Sequence, residues 1–299
     1  MKSIKANGKL LITGEYLILK GAKGLAIPTS YGQSLTFEKN ENDSLLHWNS
    51  LDVNNQVWFS ATFDLKNSNL VSSSNHEKAK FIYHVLVKAG ELANHKEHFC
   101  GKIITKLDFN KEWGLGSSST LIWSIASIFE IDPLALHFHT SNGSGYDIVC
   151  AGVNYPITYK LEKHKQPVYQ KVNWNPIFKD EIQFVYLNKK QNSEAEVNRF
   201  LEGTTLDKDI FEINQLTDSI MNCEDLNDFE NSITEHENIV GRLLQKTPIK
   251  QNLFKDYPGA IKSLGAWGGD FILATRKNSS YFEQRGYNTV ISFNNMIKK

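Results

Sequence analysis

Gly114-Leu115-Gly116-Ser117-Ser118-Ser119 puts two glycines and three hydroxyls between an alternating segment, Lys102–Phe109, and a mostly apolar one, Thr120–Ile131. A strand–turn–helix of this kind aims successive backbone N–H groups at one point, beside the positive end of the helix dipole. Glycine lets an anion approach without a Cβ in the way. The serine hydroxyls can bond phosphate oxygens or a Mg²⁺ ion, and three serines at a helix start also suit hydroxyl caps. The string alone leaves two readings open, a phosphate cradle and a tight turn capped by serines. Three further positions carry usable chemistry. Lys9 is a cation, Glu15 follows it by six residues, and Asp147 follows Gly145. Asp147 is either a proton acceptor or an Asx-type turn residue.

Other phosphate and metal signatures are missing. The pattern G-x-x-x-x-G-K-[ST] is absent, no G-x-G-x-x-G opens the first strand, and neither His-Arg-Asp nor Asp-Phe-Gly occurs. Cys100, Cys150 and Cys223 are widely spaced and form no Cys-x-x-Cys pair, so free thiols are expected. The nine histidines offer no His-x-x-x-His with a matching carboxylate. His137 and His139 are expected as ordinary polar residues near a pocket mouth.

Patterning supplies the elements that must position these groups. Gly8–Leu19 reads as a strand pair, and Ser34–Phe37, Leu45–Trp48 and Gln56–Phe63 as further strands separated by Asn-rich turns. Ala79–Ala93 carries Phe81, Ile82, Val85, Leu86, Ala89 and Leu92 on one helical face. Thr120–Ile131 is apolar nearly all round, as a buried helix is. His137–Gly145 is a polar stretch. The second half predicts a strand over Ile182–Leu187, helices near Ser193–Leu201, Ile210–Asn222 and Leu226–Leu244, and a last strand over Phe271–Ala274. Pro156–Asp180, with few apolar runs, suits a hairpin or crossover.

The 299 residues allow one large or two closely packed domains. Lys+Arg and Asp+Glu each count 33, and that balance argues against nucleic acid bound through a broad basic face. The apolar run Leu10–Ile12 is too short for a secretion signal, and no stretch approaches the roughly 20 apolar residues of a membrane span. A cytoplasmic protein without membrane or nucleic-acid partners is expected.

Four segments taken in order resemble the GHMP kinase superfamily (galactokinase, homoserine kinase, mevalonate kinase, phosphomevalonate kinase). Asn7–Tyr16, NGKLLITGEY, is similar to P-G-K-x-x-x-x-G-E-Y/H except for the proline. Gly114–Ser118 matches the start of G-L-G-S-S-A-A, with Ser119 and Thr120 in place of the alanines. Gly265–Asp270, GAWGGD, resembles G-A-G-G-G-(G/D), with Trp267 in place of a glycine. Gly143–Asp147, GSGYD, looks like the G-S-G-F-D of phosphomevalonate kinases, and GYDIV is close to the motif of a bacterial G-Y-D-I-A subgroup. The resemblance runs from Lys5 to Ala274.

The resemblance implies an α+β fold, with a ribosomal-protein-S5-like N-terminal domain (1–155) and a ferredoxin-like C-terminal domain (156–299). It implies a kinase moving the γ-phosphoryl group of ATP, with Mg²⁺, to mevalonate, phosphomevalonate or a similar metabolite, in a monomer or homodimer. A decarboxylase of the mevalonate-diphosphate type and a non-catalytic nucleotide-binding protein are the alternatives. Asp147 and Lys9 are the implied catalytic pair. Gly114, Leu115, Gly116, Ser117, Ser118, Ser119, Gly268 and Gly269 are implied for ATP, and Glu15, Tyr16, Gly145 and Gly265 for the acceptor. Ser118 is implied for the metal. Glu15 either braces the Lys9 strand or supports the metal, and bracing is favoured because buried carboxylates beside basic residues usually serve as ion-pair partners. Trp267 either stacks on a ligand or packs. The family's acidic magnesium ligand has no counterpart, since Ala135–Asn142 holds no carboxylate and Glu130 and Asp132 are unmatched.

Overall fold

The computed structural model describes all residues except 41, 94–98, 163–165, 191–192, 204–205, 266 and 299, and leaves out the side chains of 193–195 and 198–199. The chain divides into two compact units, neither contiguous in sequence. Unit 1 comprises Met1–Gly8, Tyr31–Lys111 and Leu115–Val153. Unit 2 comprises Lys9–Ser30, Glu112–Gly114 and Asn154–Lys299. Two long strands, β1 (Lys2–Leu11) and β2 (Gly24–Lys39), each contribute residues to both.

Unit 1 adds β3 (Leu46–Leu51), β4 (Val57–Asp64), β5 (Asn69–Ser73), α1 (His76–Leu92), β6 (Gly101–Leu107), α2 (Ser117–Phe129), α3 (Pro133–Thr140) and α4 (Tyr146–Gly152). Its strands run in the order β5-β4-β3-β6-β2, with β1 also on β2. Strand β6 lies parallel to β3 (Trp48 opposite Ile103) and antiparallel to β2. Strand β4, VWFSATFD, alternates as a half-buried strand should, with Phe59, Ala61 and Phe63 inward. Those residues meet Val85, Leu86 and Ala89 of α1 and Leu121, Ile122, Ile125 and Ala126 of α2 in one core. Helix α2 is buried on nearly every side, as its composition predicts.

Unit 2 adds β7 (Ile157–Glu162), β8 (Gln166–Lys171), β9 (Gln183–Tyr186), α5 (Ser193–Glu202), α6 (Asp207–Asn222), α7 (Leu226–Leu244), α8 (Ile249–Leu253), β10 (Ile261–Ser263), β11 (Phe271–Ala274), α9 (Ser279–Glu283), β12 (Val290–Ser292) and α10 (Phe293–Met296). Strands β7 and β8 form the hairpin that the 156–180 composition suggested. A second, wholly antiparallel sheet has the order β10-β11-β9-β12. Taken along the chain, β9, helices, β10, β11, α9 and β12 make the β-α-β-β-α-β arrangement of a ferredoxin-like domain. The two central strands, β9 (QFVY) and β11 (FILA), are buried at every position, which explains their unbroken apolar runs.

One local expectation fails, and one open stretch takes a form. Tyr16–Leu19 is no strand: Gly14 (φ +86°) and Tyr16 (φ +61°) turn the chain, and Leu17–Lys20 forms a single 3-10 turn closed by Gly21 (φ +90°). Gly14 packs so near β2 that a Cβ there would fall 2.9 Å from the Gly24 Cα, so the apolar run Tyr16–Leu19 is spent on core contacts in place of a ladder. The stretch 137–145 is also helical in its first part. Asp132 caps α3 through Leu134 N–H (3.0 Å), and Pro133 opens it at a position where proline costs no hydrogen bond.

The fold makes α2 the keel of unit 1. Ile125→Ala, fully buried against α1 and the sheet, should destabilise by about 2–5 kcal/mol, read as a lower urea midpoint.

Candidate functional site

In unit 1 the glycine–serine segment opens α2 in an unexpected way. Leu115 is fully buried and anchors the turn, and Gly116 (φ +93°) takes the N-cap position in a left-handed conformation. No side chain caps the helix. The hydroxyls expected as caps point back into the first turn instead. Ser119 Oγ donates to the Gly116 carbonyl (2.9 Å), and Thr120 Oγ1 lies within reach of the same carbonyl, Ser117 O and Gln33 Oε1. Ser119 is therefore buried, Ser117 is half-buried and Ser118 is exposed. The amides at the head of α2 are left without a side-chain acceptor, where the macrodipole favours an anion.

A second helix start in unit 1 has the same design. Gly145 (φ +90°) is the N-cap of α4, and Asp147 lies in its first turn, half-buried. Among the described residues its Oδ1 accepts only the adjacent Ile148 N–H (3.1 Å). Helix α4 crosses α2 closely, because Gly152 leaves room for Trp123: a Cβ at Gly152 would meet the indole Nε1 at 2.4 Å. Glu130 and Asp132, the unmatched acids, sit at the opposite end of α2. Glu130 caps that end and pairs with Lys2 (2.7 Å), and Asp132 caps α3. A 13-residue helix separates them from the glycine–serine turn by about 20 Å. Among the described residues no cluster of three His, Cys, Asp or Glu could hold a metal ion. His137, expected near a pocket mouth, is buried on the inner face of α3 at 3% exposure, whereas His139 is exposed and bonds the Ala135 carbonyl.

In unit 2, Lys9 ends the polar part of β1 and its Nζ donates to the Gly114 carbonyl at 3.0 Å. Gly114 (φ +67°) and Gly265 (φ +68°) flank the Asp270 carboxylate. Gly268 (φ +88°) is exposed at the third glycine-rich turn, and Gly269 is buried; Ala266 lies outside the described residues. Trp267 faces the interior. It is 3% exposed, packs with Tyr16, Phe200, Ile213, Ile239 and Val240, and fits over Gly241, whose Cβ would be 3.0 Å from its ring. Its backbone N–H donates to the Tyr16 hydroxyl (3.1 Å). Of its two expected roles, packing is the one the structure shows.

Glu15 and Tyr16, expected at the acceptor, are turned inward: Glu15 is 2% exposed and Tyr16 6%. Glu15 is ion-paired with Lys262 of β10, itself fully buried, and its Oε2 is 3.4 Å from His236 Nε2. His236 Nε2 accepts the Gly14 N–H (2.9 Å). The next residue on α7, Glu237, accepts from Ser263 N–H (3.0 Å) and Ser263 Oγ (2.8 Å). Glu15 is thus held as a buried ion-pair partner of Lys262. Burial pushes the Glu15 carboxyl up to about 7 despite the ammonium beside it, and raises Glu237 also. Burial, then the Lys262 charge, hold His236 neutral well below the usual imidazole range. Sequence reading missed Lys262, His236, Glu237 and Ser263. A lysine inside an apolar strand and a His-Glu pair interrupting the stripe Phe229, Ile233, Val240 were the available signals.

No family model and no curated protein matches the sequence. Solved structures do match over nearly the whole chain. Mevalonate kinase from Methanococcus jannaschii superposes with a TM-score of 0.71 at 16% identity, over 97% of this chain and 96% of that one. Streptococcus pneumoniae phosphomevalonate kinase, in complex with phosphomevalonate and AMPPNP, gives 0.68 at 15%, covering 96% of each. Lactococcus lactis galactokinase with galactose gives 0.66 at 12%, over 100% and 94%. The chain has the α+β fold of the GHMP kinases, as the four segments implied.

The buried cluster makes stability depend on pH in a defined sense. Glu15 binds its proton more tightly folded than unfolded, so its contribution is complete below the ordinary carboxylate pKa and is lost as pH rises through about 7. His236 works oppositely, contributing above its unfolded pKa and losing as pH falls. The two slopes offset each other at mildly acid pH, and only that of Glu15 persists near neutrality. Wild type should lose roughly half a kcal/mol between pH 6 and 8, because His236 offsets part of the Glu15 slope. Glu15→Gln, though less stable throughout, should show a weaker decline in urea melts, since Glu237 keeps its own slope.

Proposed function

We propose that the chain is an ATP-dependent small-molecule kinase whose acceptor is mevalonate, phosphomevalonate or a metabolite of similar size and polarity. The observation that carries this reading is the head of α2. A left-handed glycine and inward-turned hydroxyls keep its amides clear of any side-chain cap. A packed strand–helix turn gains nothing from leaving them so, and a triphosphate does. The fold supports the same reading, because the similar structures include kinases of mevalonate, phosphomevalonate and galactose.

The assigned roles follow from charge. Phosphoryl transfer needs mostly positioning and neutralisation of the transferring group. Amides of the Gly114–Ser119 segment bind phosphate oxygens, and Gly268 and Gly269 offer a turn that a ligand can approach closely. Lys9 neutralises phosphoryl oxygens. Asp147, in the first turn of α4, accepts the proton of a hydroxyl acceptor; for a phosphate acceptor no proton needs to leave. Gly145 serves by giving Asp147 its place at the helix start. Magnesium supplies charge neutralisation when bound with the nucleotide. The residues fit it only as an ion carried in by phosphates, with the exposed Ser118 hydroxyl as the offered protein group. Trp267, the departure that would favour a non-catalytic protein, is accounted for by packing and leaves the exposed Gly268 unobstructed.

Two measurements test this. Mg·ATP should raise the melting temperature of the wild type, and Gly116→Val, which forces a β-branched residue into a left-handed conformation, should remove that rise. An equal rise in a folded variant would take the segment out of the site. Asp147→Asn should lower turnover by roughly 10²-fold or more with a hydroxyl acceptor while ATP binding stays near wild type. A smaller fall with altered acceptor affinity is expected for a phosphate acceptor, and full activity per folded molecule would end the assignment.

A further inference from the structure

Asp270 closes the third glycine-rich segment, and none of the roles above uses it. Its φ is +51°, in the left-handed region that a residue with a Cβ enters only at a cost. Two backbone bonds keep it there. Its N–H donates to the Lys189 carbonyl (2.7 Å), and its carbonyl accepts from the Leu187 N–H (2.9 Å). The side chain is thereby aimed at Gly114. A Cβ built on Gly114 would fall 2.5 Å from both Cγ and Oδ2, and one on Gly265 would fall 3.6 Å from Oδ2. Both glycines are themselves left-handed. The carboxylate thus occupies space that exists because residue 114 has no side chain, and only 7% of Asp270 is exposed.

A carboxylate this enclosed needs a cation or several donors. The phenols of Tyr16 and Tyr186 do not serve as cations. Both are pushed up in pKa, chiefly by burial and in part by the Asp270 charge itself, and stay neutral. Lys9 is the cation at this glycine: its Nζ donates to the Gly114 carbonyl at 3.0 Å. An ammonium has three donors, so its orientation is set by more than the one carbonyl it bonds. The amide group of one residue, Gly114, therefore carries the ammonium on its carbonyl and the carboxylate against its Cα.

We propose that Asp270 is a positioning residue for Lys9, fixing the ammonium at Gly114 so that it meets the transferring phosphoryl group in one orientation. This rests on the kinase reading given above. It also explains the strained backbone, since an unstrained Asp270 would direct its carboxylate elsewhere, and it gives Gly114 a purpose distinct from anion approach.

The test compares wild type, Asp270→Asn, Lys9→Met and the double variant. Asparagine keeps the size of the side chain and tolerates the left-handed conformation, so Asp270→Asn should fold. Calorimetry gives the ATP dissociation constant, and steady-state kinetics give kcat and KM. Asp270→Asn should lower kcat by about 10–100-fold, with ATP affinity near wild type, because misplacing a reacting cation costs rate more than binding. In the Lys9→Met background the same change should add nothing. An equal loss in both backgrounds would overturn the proposal. So would a lower melting temperature with unchanged kcat, or a defect that excess Mg²⁺ repairs, which would make Asp270 a metal ligand. Should the wild type bind no ATP, the kinase reading fails by itself. The Lys9 ε-CH₂ resonance, assigned with Lys9→Arg, then decides: displaced in Asp270→Asn it supports the pairing, and unmoved it overturns it.

Discussion

The buried ion pair of Glu15 and Lys262 is the constraint on which unit 2 is arranged. Neither side chain reaches water, so each depends on the other and on the groups around them. Breaking such a pair from one side leaves a charge in the interior, at a cost of about 3–5 kcal/mol. That dependence ties three separate stretches of chain together. Gly14 to Tyr16 comes from the N-terminal end, His236 and Glu237 from α7, and Lys262 with Ser263 from β10. The first of these follows Lys9 by a few residues and the last precedes the Gly265 turn. Motif residues that look like ligand contacts in the sequence thus include some whose work is to hold the others. A hydrophobic substitute for the pair would pack, but it would not discriminate one register of β10 against α7 from the next.

Two helix starts show a complementary principle. Both α2 and α4 begin at a left-handed glycine and use no side-chain cap. In most helices a Ser, Thr, Asp or Asn would satisfy those first amides. Here serine and threonine are present at α2 and turn back to bond a carbonyl of their own turn. The glycine stands at the N-cap itself, where a capping serine would be, and that decides this. The composition of the loop is equally compatible with either outcome, and only the backbone conformation separates them.

Much of this was legible in the residues. Periodicity located α1, α2, α6, α7 and the strands β3, β4, β6, β9 and β11, because each buries one face or all faces in a single layer. The four signature segments indicated the fold. What escaped was whatever depends on partners distant in sequence. Tyr16–Leu19 has strand composition, yet its backbone is bent by Gly14 and by the need to seat Glu15 on Lys262. His137 looks polar in a polar stretch, and α3 turns it inward. Trp267 looks like an obstruction in a glycine turn, and Gly241 on another helix makes room for it. Asp270 was legible only as the end of the third motif, since its meaning comes from Gly114, 156 residues earlier.

The interleaving of the two units has a consequence for how the protein is made. Unit 1 is complete in sequence once Val153 has been synthesised. Unit 2 is not, although its first segment, Lys9–Ser30, emerges almost at once. That segment must wait for residues far along the chain: Thr29 bridges to Ile297, Ser30 Oγ donates to the Ile297 carbonyl, and Lys298 N–H donates to the Pro28 carbonyl. At typical rates of about 5–20 residues per second, Glu15 and Lys9 stay without their unit for roughly ten seconds or more after unit 1 can close. During that interval the acidic and apolar groups of the first segment are open to solvent and to chaperones.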